Sequence, residues 1–295
     1  MISVIIAVHN EELNIIQCLH SVYDQDVNME VLMVDDLSTD RTIPIVKEYF
    51  PDVRIIELKD FYPFEQATGS PNWGRNLGVK LAMGEYIAFL DADDRWLPGK
   101  LRLQMESIEK YKVPISCTGF SKEGKLVSCG IGTTLIPNPF YLLISRNKKF
   151  YPQYSTLLFE KKIYPPMETE WGLYDMAWKF KLFEGRECVR VGELLLEKNS
   201  ARTSENPIVR EVLHYETNLA LAHYAVKYPE YADTCYKSIK TYWGTMARWY
   251  YHRGKYKQAR YYMTMSRLTV KNLLYYMTSY TPIVAKKITC RVHNH

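Results

Sequence analysis

Short apolar runs alternate with helical spacing along the first hundred residues. Residues 4–8 are apolar and partly β-branched, stop at His9-Asn10, and are followed by Leu13, Ile16, Leu19, Val22 and Tyr23 on one helical face. This predicts strand, turn, helix, with Asn10 as N-cap and Glu11 and Glu12 in a first turn where the helix dipole favours acid. A second run, residues 30–34, ends at Asp35-Asp36. A helix should open at residues 38–40, with Pro44 early and Ile45, Val46 and Tyr49 on one face. Residues 53–58 predict a third strand. Pro63, Gly69, Ser70 and Pro71 then break the pattern and predict a loop over residues 59–72. A helix over 75–83, closed by Gly84, leads to a fourth strand at 86–90 that runs straight into Asp91-Ala92-Asp93-Asp94.

Strands and helices alternating through short connections predict an α/β fold with a mostly parallel central sheet and right-handed crossovers, covered by helices on both faces. Ligands bind at the carboxyl edge of such sheets, where these polar and acidic clusters fall. A helix at 98–111, strands near 115–120, 125–129 and 154–159, a helix at 173–183 and a strand at 189–195 complete one domain over residues 1–206. Beyond it the pattern is helical, and 14 of the 24 tyrosines lie between Tyr215 and Tyr280, which marks residues 207–295 as a tyrosine-rich helical extension. Within it Gly254 separates Trp243 and Tyr250 from Tyr256, Ala259 and Tyr262, a helix–turn–helix pattern resembling one tetratricopeptide-like unit. No second copy follows, so an αα-hairpin is expected rather than a repeat array.

Composition narrows the classes. A chain of 295 residues, 47% hydrophobic and 24% charged, can bury one large core plus an appendage. Its six cysteines are scattered without a C-x-x-C pair, which suits reduced thiols. The run at residues 2–8 is too short for a signal-peptide core, and no stretch reaches the ~18–20 apolar residues of a membrane span, so a cytoplasmic location is expected. Net charge is +5, with the excess late, at Lys255, Lys257, Arg260, Arg267, Lys271, Lys286, Lys287 and Arg291. A solvated helix face explains that bias; so does peripheral contact with anionic lipid at the inner face of the membrane, for which aromatic and basic residues mix over 268–292. The acidic strand-end cleft speaks against nucleic acid. No oligomeric state follows from the sequence.

The candidate chemistry sits at the strand ends. Asp91, Asp93 and Asp94 are like charges within four residues, which a hard divalent cation with oxygen ligands would compensate; the competing reading is a helix cap on an acidic surface turn. Position after a parallel strand, beside a second acidic strand end, favours metal at Asp91 and Asp93. Asp36 is placed to accept hydrogen bonds from a base N–H or a ribose hydroxyl, while its neighbours cap the next helix. Backbone groups of Ala7 and Val8 and the ring of His9 should line the same cleft, His9 as a packing surface rather than a base. Arg75 is a phosphate contact or a surface arginine.

Four segments in order carry a resemblance: Val4-Ile5-Ile6-Ala7-Val8-His9-Asn10, Val34-Asp35-Asp36-Leu37-Ser38-Thr39-Asp40, Gly74-Arg75-Asn76-Leu77-Gly78, and Gly84-Glu85-Tyr86-Ile87-Ala88-Phe89-Leu90-Asp91-Ala92-Asp93-Asp94. Together they resemble the family 2 glycosyltransferases over about the first two hundred residues. The resemblance implies a GT-A fold and a nucleotide-diphosphate-sugar donor, often UDP-linked, bound through Ala7, Val8, His9, Asp36, Arg75, Asp91, Ala92 and Asp93. It implies a divalent cation, Mn²⁺ or Mg²⁺, at the D-x-D, inversion at the anomeric carbon, and a glycan or lipid-linked acceptor in polysaccharide or glycan biosynthesis. It further implies a catalytic base in an acidic pair opening a helix. The matching stretch is Trp171-Gly172-Leu173-Tyr174-Asp175-Met176-Ala177-Trp178, with Tyr174 where Glu is usual, so Asp175 is the base and Glu168 and Glu170 are its rivals. Lys198 to Asn206 resembles the family's segment after the last strand, where basic or His residues approach the diphosphate; it holds no His, and Arg202 with the hydroxyls of Thr203 and Ser204 are the candidates. A nucleotidyltransferase or NAD enzyme is disfavoured because no G-x-G-x-x-G follows a strand. A catalytically inactive nucleotide-sugar-binding or scaffolding protein acting through its helical tail is the alternative; the joint presence of Asp36, Asp91, Asp93 and Asp175 speaks against it.

Overall fold

The computed structural model describes residues 1–63, 68–128, 132–147, 149–169, 175–199 and 207–266, with 272, 275, 276 and 279 beyond them. The predicted alternation is present as β1 (Ile2–Val8), α1 (Ile15–Tyr23), β2 (Met29–Asp35), α2 (Thr42–Tyr49), β3 (Arg54–Glu57), α3 (Pro71–Leu81) and β4 (Tyr86–Phe89). There follow β5 (Arg95–Trp96), α4 (Lys100–Tyr111), β6 (Ile115–Lys122), β7 (Lys125–Ser128), β8 (Thr134–Ile136), α5 (Pro139–Ile144), β9 (Leu157–Glu160), α6 (Asp175–Phe183), β10 (Cys188–Lys198), α7 (Pro207–Lys227), α8 (Ala232–His252) and α9 (Tyr256–Met265). The chain divides into two compact units, Met1–Leu143 with Asn147–Thr203, and Ile144–Arg146 with Ser204–His295.

In the first unit the strands form one curled sheet in the order β3-β2-β1-β4-β9-β6-β10-β5, with β7 on β6 and β8 on β10. The four strands β3, β2, β1 and β4 are mutually parallel. Strand β9 is reversed, and β6 and β10 return to the direction of β4, so the sheet is mainly parallel with an antiparallel insertion. Val4, Ile6 and Val8 of β1 meet Ile15, Leu19 and Val22 of α1 in the main core. Each of these side chains, fully removed from water, contributes about 1.5–3 kcal/mol of transfer free energy. On the other face α3 lies against β1 so closely that a Cβ on Gly78 would stand 2.4 Å from Ile5 Cγ2. The last residue of the Gly-Arg-Asn-Leu-Gly segment is therefore glycine because the helix backbone seats directly on the strand.

Several local expectations are corrected. Asn10 is not the N-cap of α1, which opens at Ile15 without an acidic residue in its first turn. Asn10 instead adopts a left-handed φ of 54° and turns its amide oxygen to the N–H groups of Thr39 (2.8 Å) and Asp40 (3.3 Å), joining the β1 and β2 loops. Gly84 does not close α3, which ends at Leu81 with Ala82 as its cap. It is small because a Cβ there would lie 2.7 Å from the Ser3 nitrogen at the start of β1. Helix α3 opens at Pro71, earlier than expected, with Ser70 as N-cap. The two-residue strand β5 is absent from the predicted elements, as are β8 and α5, which lie between the strands expected near 125–129 and 154–159. Such short elements carry too few residues to show a period.

The second unit contains α7, α8 and α9. The α8–α9 turn is the expected hairpin: Gly254 ends α8 with φ 72°, and Ala259 and Met263 pack with Met246, Ala247, Tyr250 and Tyr251. The Tyr250 and Tyr262 rings stack 5.6 Å apart, and both hydroxyls donate to Glu211. Residues 268–292, where membrane contact was considered, lie outside the described residues apart from the four positions named above. No helix among the described residues is long and apolar enough to cross a membrane.

Candidate active site at the carboxyl edge of the sheet

A cavity of about 540 Å³ opens where β1, β2 and β4 end. It brings together eight residues singled out in the sequence, Ala7, Val8, His9, Asp36, Arg75, Asp91, Ala92 and Asp93, and adds Glu11, Gly74, Lys122, Lys198 and Asn199. The helix dipole of α3 contributes too, since Ser70, Pro71, Gly74 and Arg75 of its first turns form one wall.

At one end, the Asp36 N–H donates to the Val8 carbonyl (2.9 Å), locking the tip of β2 to that of β1. The Asp36 carboxylate accepts from the Thr68 N–H (2.9 Å) and hydroxyl (2.7 Å). A carboxylate offers about four lone-pair sites, so capacity remains on the cavity side. His9 faces the Asp36 carbonyl through Nδ1 (2.7 Å), which must therefore carry the proton, and its Nε2 accepts from the Asn10 amide (3.1 Å). With both ring nitrogens engaged, His9 is a wall of the cleft, in line with its reading as a packing surface.

The other end is the acidic turn. The Asp94 N–H donates to the Asp91 carbonyl (2.9 Å), closing the turn. The buried Ser155 hydroxyl accepts from the Asp91 N–H (3.1 Å) and donates to Asp94 (2.7 Å). Carboxylate oxygens of Asp91, Asp93 and Asp94 all lie within 4.8 Å of one another. Arg75, only 7% exposed, donates to Asp91 at 2.7 Å and to Asn72 at 3.2 Å, with its guanidinium 4.1 Å over the Tyr154 ring. Lys198, at the end of β10, reaches Asp91 at 3.3 Å and Asp94 at 3.1 Å.

These contacts set the charges. Burial pushes the Asp91 carboxyl up, but the Arg75 and Lys198 cations beside it prevail and hold it below the usual range. Burial, then the Asp91 charge, raise Asp93, and the same two causes raise Asp94 to about 7. Burial alone would lower Lys198, yet Asp91 and Asp94 hold its ammonium above the ordinary lysine value. Part of the compensation assigned from sequence to a divalent ion is thus supplied by Arg75 and Lys198. Asp93 is the carboxylate left without an ion pair among the described residues. Three hard oxygen donors this close still suit Mg²⁺ or Mn²⁺, with Asp91 and Asp93 partly exposed and Asp94 buried.

Asp175 opens α6, and its side chain lies outside the described residues, as do Glu170 and Arg202–Ser204. Residues 164–168 are held by α3. Asn76 accepts from the Met167 N–H (2.8 Å) and the Tyr164 hydroxyl (2.6 Å) and donates to the Met167 carbonyl (2.8 Å); Asn72 donates to the Glu168 carbonyl (3.0 Å). Glu168, a rival for the base, is paired with Lys181 at 2.9 Å. Sequence reasoning placed Lys198 at the start of the diphosphate segment without singling it out, and missed Ser155 and the role of Asn76. Lys198 is the last residue of a long strand and no periodicity separates it from a solvated lysine; Asn76 lies inside the Gly74–Gly78 motif, where nothing local shows that it bonds residues 164–167.

Residues 3–149 match the family model described as Glycosyl transferase family 2. The Escherichia coli UDP-Glc:alpha-D-GlcNAc-diphosphoundecaprenol beta-1,3-glucosyltransferase WfaP is 36% identical over 132 residues, 44% of this chain and 50% of that protein. The poly(ribitol-phosphate) beta-N-acetylglucosaminyltransferase TarS of Staphylococcus aureus is 37% identical over 97 residues, 31% of this chain and 16% of that protein. The chain therefore spans half or less of the length of these curated relatives. Among solved structures, S. aureus TarS 1–349 in complex with UDP-GlcNAc aligns with a TM-score of 0.64 over 90% of this chain and 81% of that one, at 16% identity, a likeness of fold. The chain belongs to glycosyl transferase family 2, the family its ordered strand-end motifs resemble.

Proposed function

We propose that this chain transfers a sugar, with inversion, from a nucleotide-diphosphate donor, UDP-linked as in the names of WfaP and of the TarS complex, to a hydroxyl of a glycan or lipid-linked glycan. The observation that carries this reading is one cavity with Asp36 at one end and Asp91, Asp93 and Arg75 at the other. A nucleoside fits the first end, where Asp36 accepts from a base or ribose group and His9 offers a flat wall. The diphosphate fits the second, beside Lys198 and the first turns of α3.

Asp93 and Asp91 would hold the divalent cation. Such an ion, when bound, neutralises charge on a departing diphosphate. Asp175 is the proposed base: it takes the proton of the acceptor hydroxyl as that oxygen attacks the anomeric carbon and the bond to the diphosphate breaks. Its place supports this, since α6 starts there and Met167 and Glu168 are bonded by Asn76 and Asn72 to the helix that walls the cavity. The domain boundary we assign is residues 1–206 for the transferase and 207–295 for the helical extension, which is proposed to act at the acceptor or the membrane face.

The test is release of UDP from a panel of UDP-sugars, with Mn²⁺ and with lipid-linked or glycan acceptors. Turnover of one donor that requires the metal is expected. Turnover of none, with or without acceptor, would sink the reading.

A further inference from the structure

The ammonium of Lys198 stands within the acidic cluster itself. It lies 3.3 Å from Asp91 Oδ2 and 3.1 and 3.4 Å from the two oxygens of Asp94, while the third carboxylate, Asp93, borders the same cavity. The position is built by the backbone. Strand β5 follows the acidic turn directly and pairs antiparallel with β10, Trp96 opposite Leu196 and Arg95 opposite Glu197. The Leu97 N–H donates to the Leu195 carbonyl (3.0 Å), an Arg95–Glu197 ion pair flanks the pairing, and the Asn199 N–H donates to Asp94 (3.2 Å). The lysine is therefore anchored on both sides to the segment that carries the carboxylates.

We infer that Lys198 is an internal counter-ion that competes with a divalent cation for the Asp91–Asp93–Asp94 cluster. This rests on the nucleotide-diphosphate reading above. With no metal bound, the ammonium compensates Asp91 and Asp94. A metal taking Asp91 and Asp93 must displace it, and the displaced charge needs another anion, which the diphosphate of the donor supplies in the cavity that Lys198 also lines. Metal and donor accordingly load together: each raises the affinity of the other by the same factor, as linkage requires. A metal ion alone meets a positive charge a few ångströms away, a repulsion worth at least about a decade in affinity at the effective dielectric of a protein surface.

The experiment is Mn²⁺ binding to the full chain, followed by the electron paramagnetic signal of free Mn²⁺, for wild type, Lys198→Met, Lys198→Gln and Lys198→Arg, each with and without UDP. Thermal melts identify variants that remain folded, and Lys198→Gln keeps a hydrogen-bond donor for Asp94 should the methionine variant fail to fold. Without nucleotide, the two neutral variants should bind Mn²⁺ at least about tenfold more tightly than wild type. The gain that UDP confers on Mn²⁺ affinity should shrink in them, and Lys198→Arg should behave as wild type. Equal or weaker Mn²⁺ binding by folded neutral variants overturns the inference while leaving the donor site intact, provided wild type binds Mn²⁺ with UDP. Failure of every protein to bind Mn²⁺ or UDP, alone or together, overturns both.

Discussion

Arg75→Met removes the most deeply held cation of the site. In the native molecule its guanidinium donates to Asp91 at 2.7 Å and lies 4.1 Å over the Tyr154 ring, with the side chain 8% exposed. Breaking a buried ion pair from one side costs about 3–5 kcal/mol, because the remaining charge stays buried without its partner. Asp91 keeps Lys198 at 3.3 Å, and its own side chain is 24% exposed, so the lower end applies. Losing the cation over the Tyr154 face adds ~1 kcal/mol, which the packing of the methionine side chain largely returns. The net expectation is about 3 kcal/mol, and for a unit of this size that lowers the melting midpoint by about 6–12 °C. Melts followed by circular dichroism measure it, with Arg75→Lys expected in between because it keeps the charge and loses the planar fork. A midpoint within about 2 °C of wild type, under 1 kcal/mol, would refute the argument that Arg75 is a structural partner of Asp91.

Further expectations concern transfer itself. Asp175→Asn should lower kcat by about 10²–10⁴-fold, the usual worth of a general base, while UDP affinity measured by calorimetry stays within about twofold. Asp93→Ala should weaken Mn²⁺-dependent UDP binding by at least about tenfold, with metal-free binding little changed. Asn76→Ala removes three hydrogen bonds that fix residues 164–167 and should lower kcat far more than donor affinity; a loss confined to the donor Kd would show that α6 is not positioned this way.

Much of the first hundred residues was legible because each strand there is an apolar run and each ends in a polar cluster. Periodicity alone brought Asp36, Asp91 and Asp93 to one edge with Arg75 near them, but left Arg75 divided between a phosphate contact and a surface arginine. Asn10 was misread because a single asparagine after a strand suits a helix cap and a left-handed turn equally, and only the tertiary partner, the loop at Thr39 and Asp40, decides. The charge balance of the D-x-D turn was misjudged for a related reason. Lys198 lies more than a hundred residues from Asp91 in sequence, and their meeting depends on the pairing of β5 with β10, a two-residue strand that leaves no periodic signal.

The most direct test of the central claim is calorimetric titration of the full chain with nucleoside diphosphates in the presence and absence of Mn²⁺, since it needs no acceptor. The account predicts saturable binding of UDP that strengthens with Mn²⁺ and loses that strengthening in Asp93→Ala. Absence of binding by any nucleoside diphosphate, with the protein folded, would contradict it.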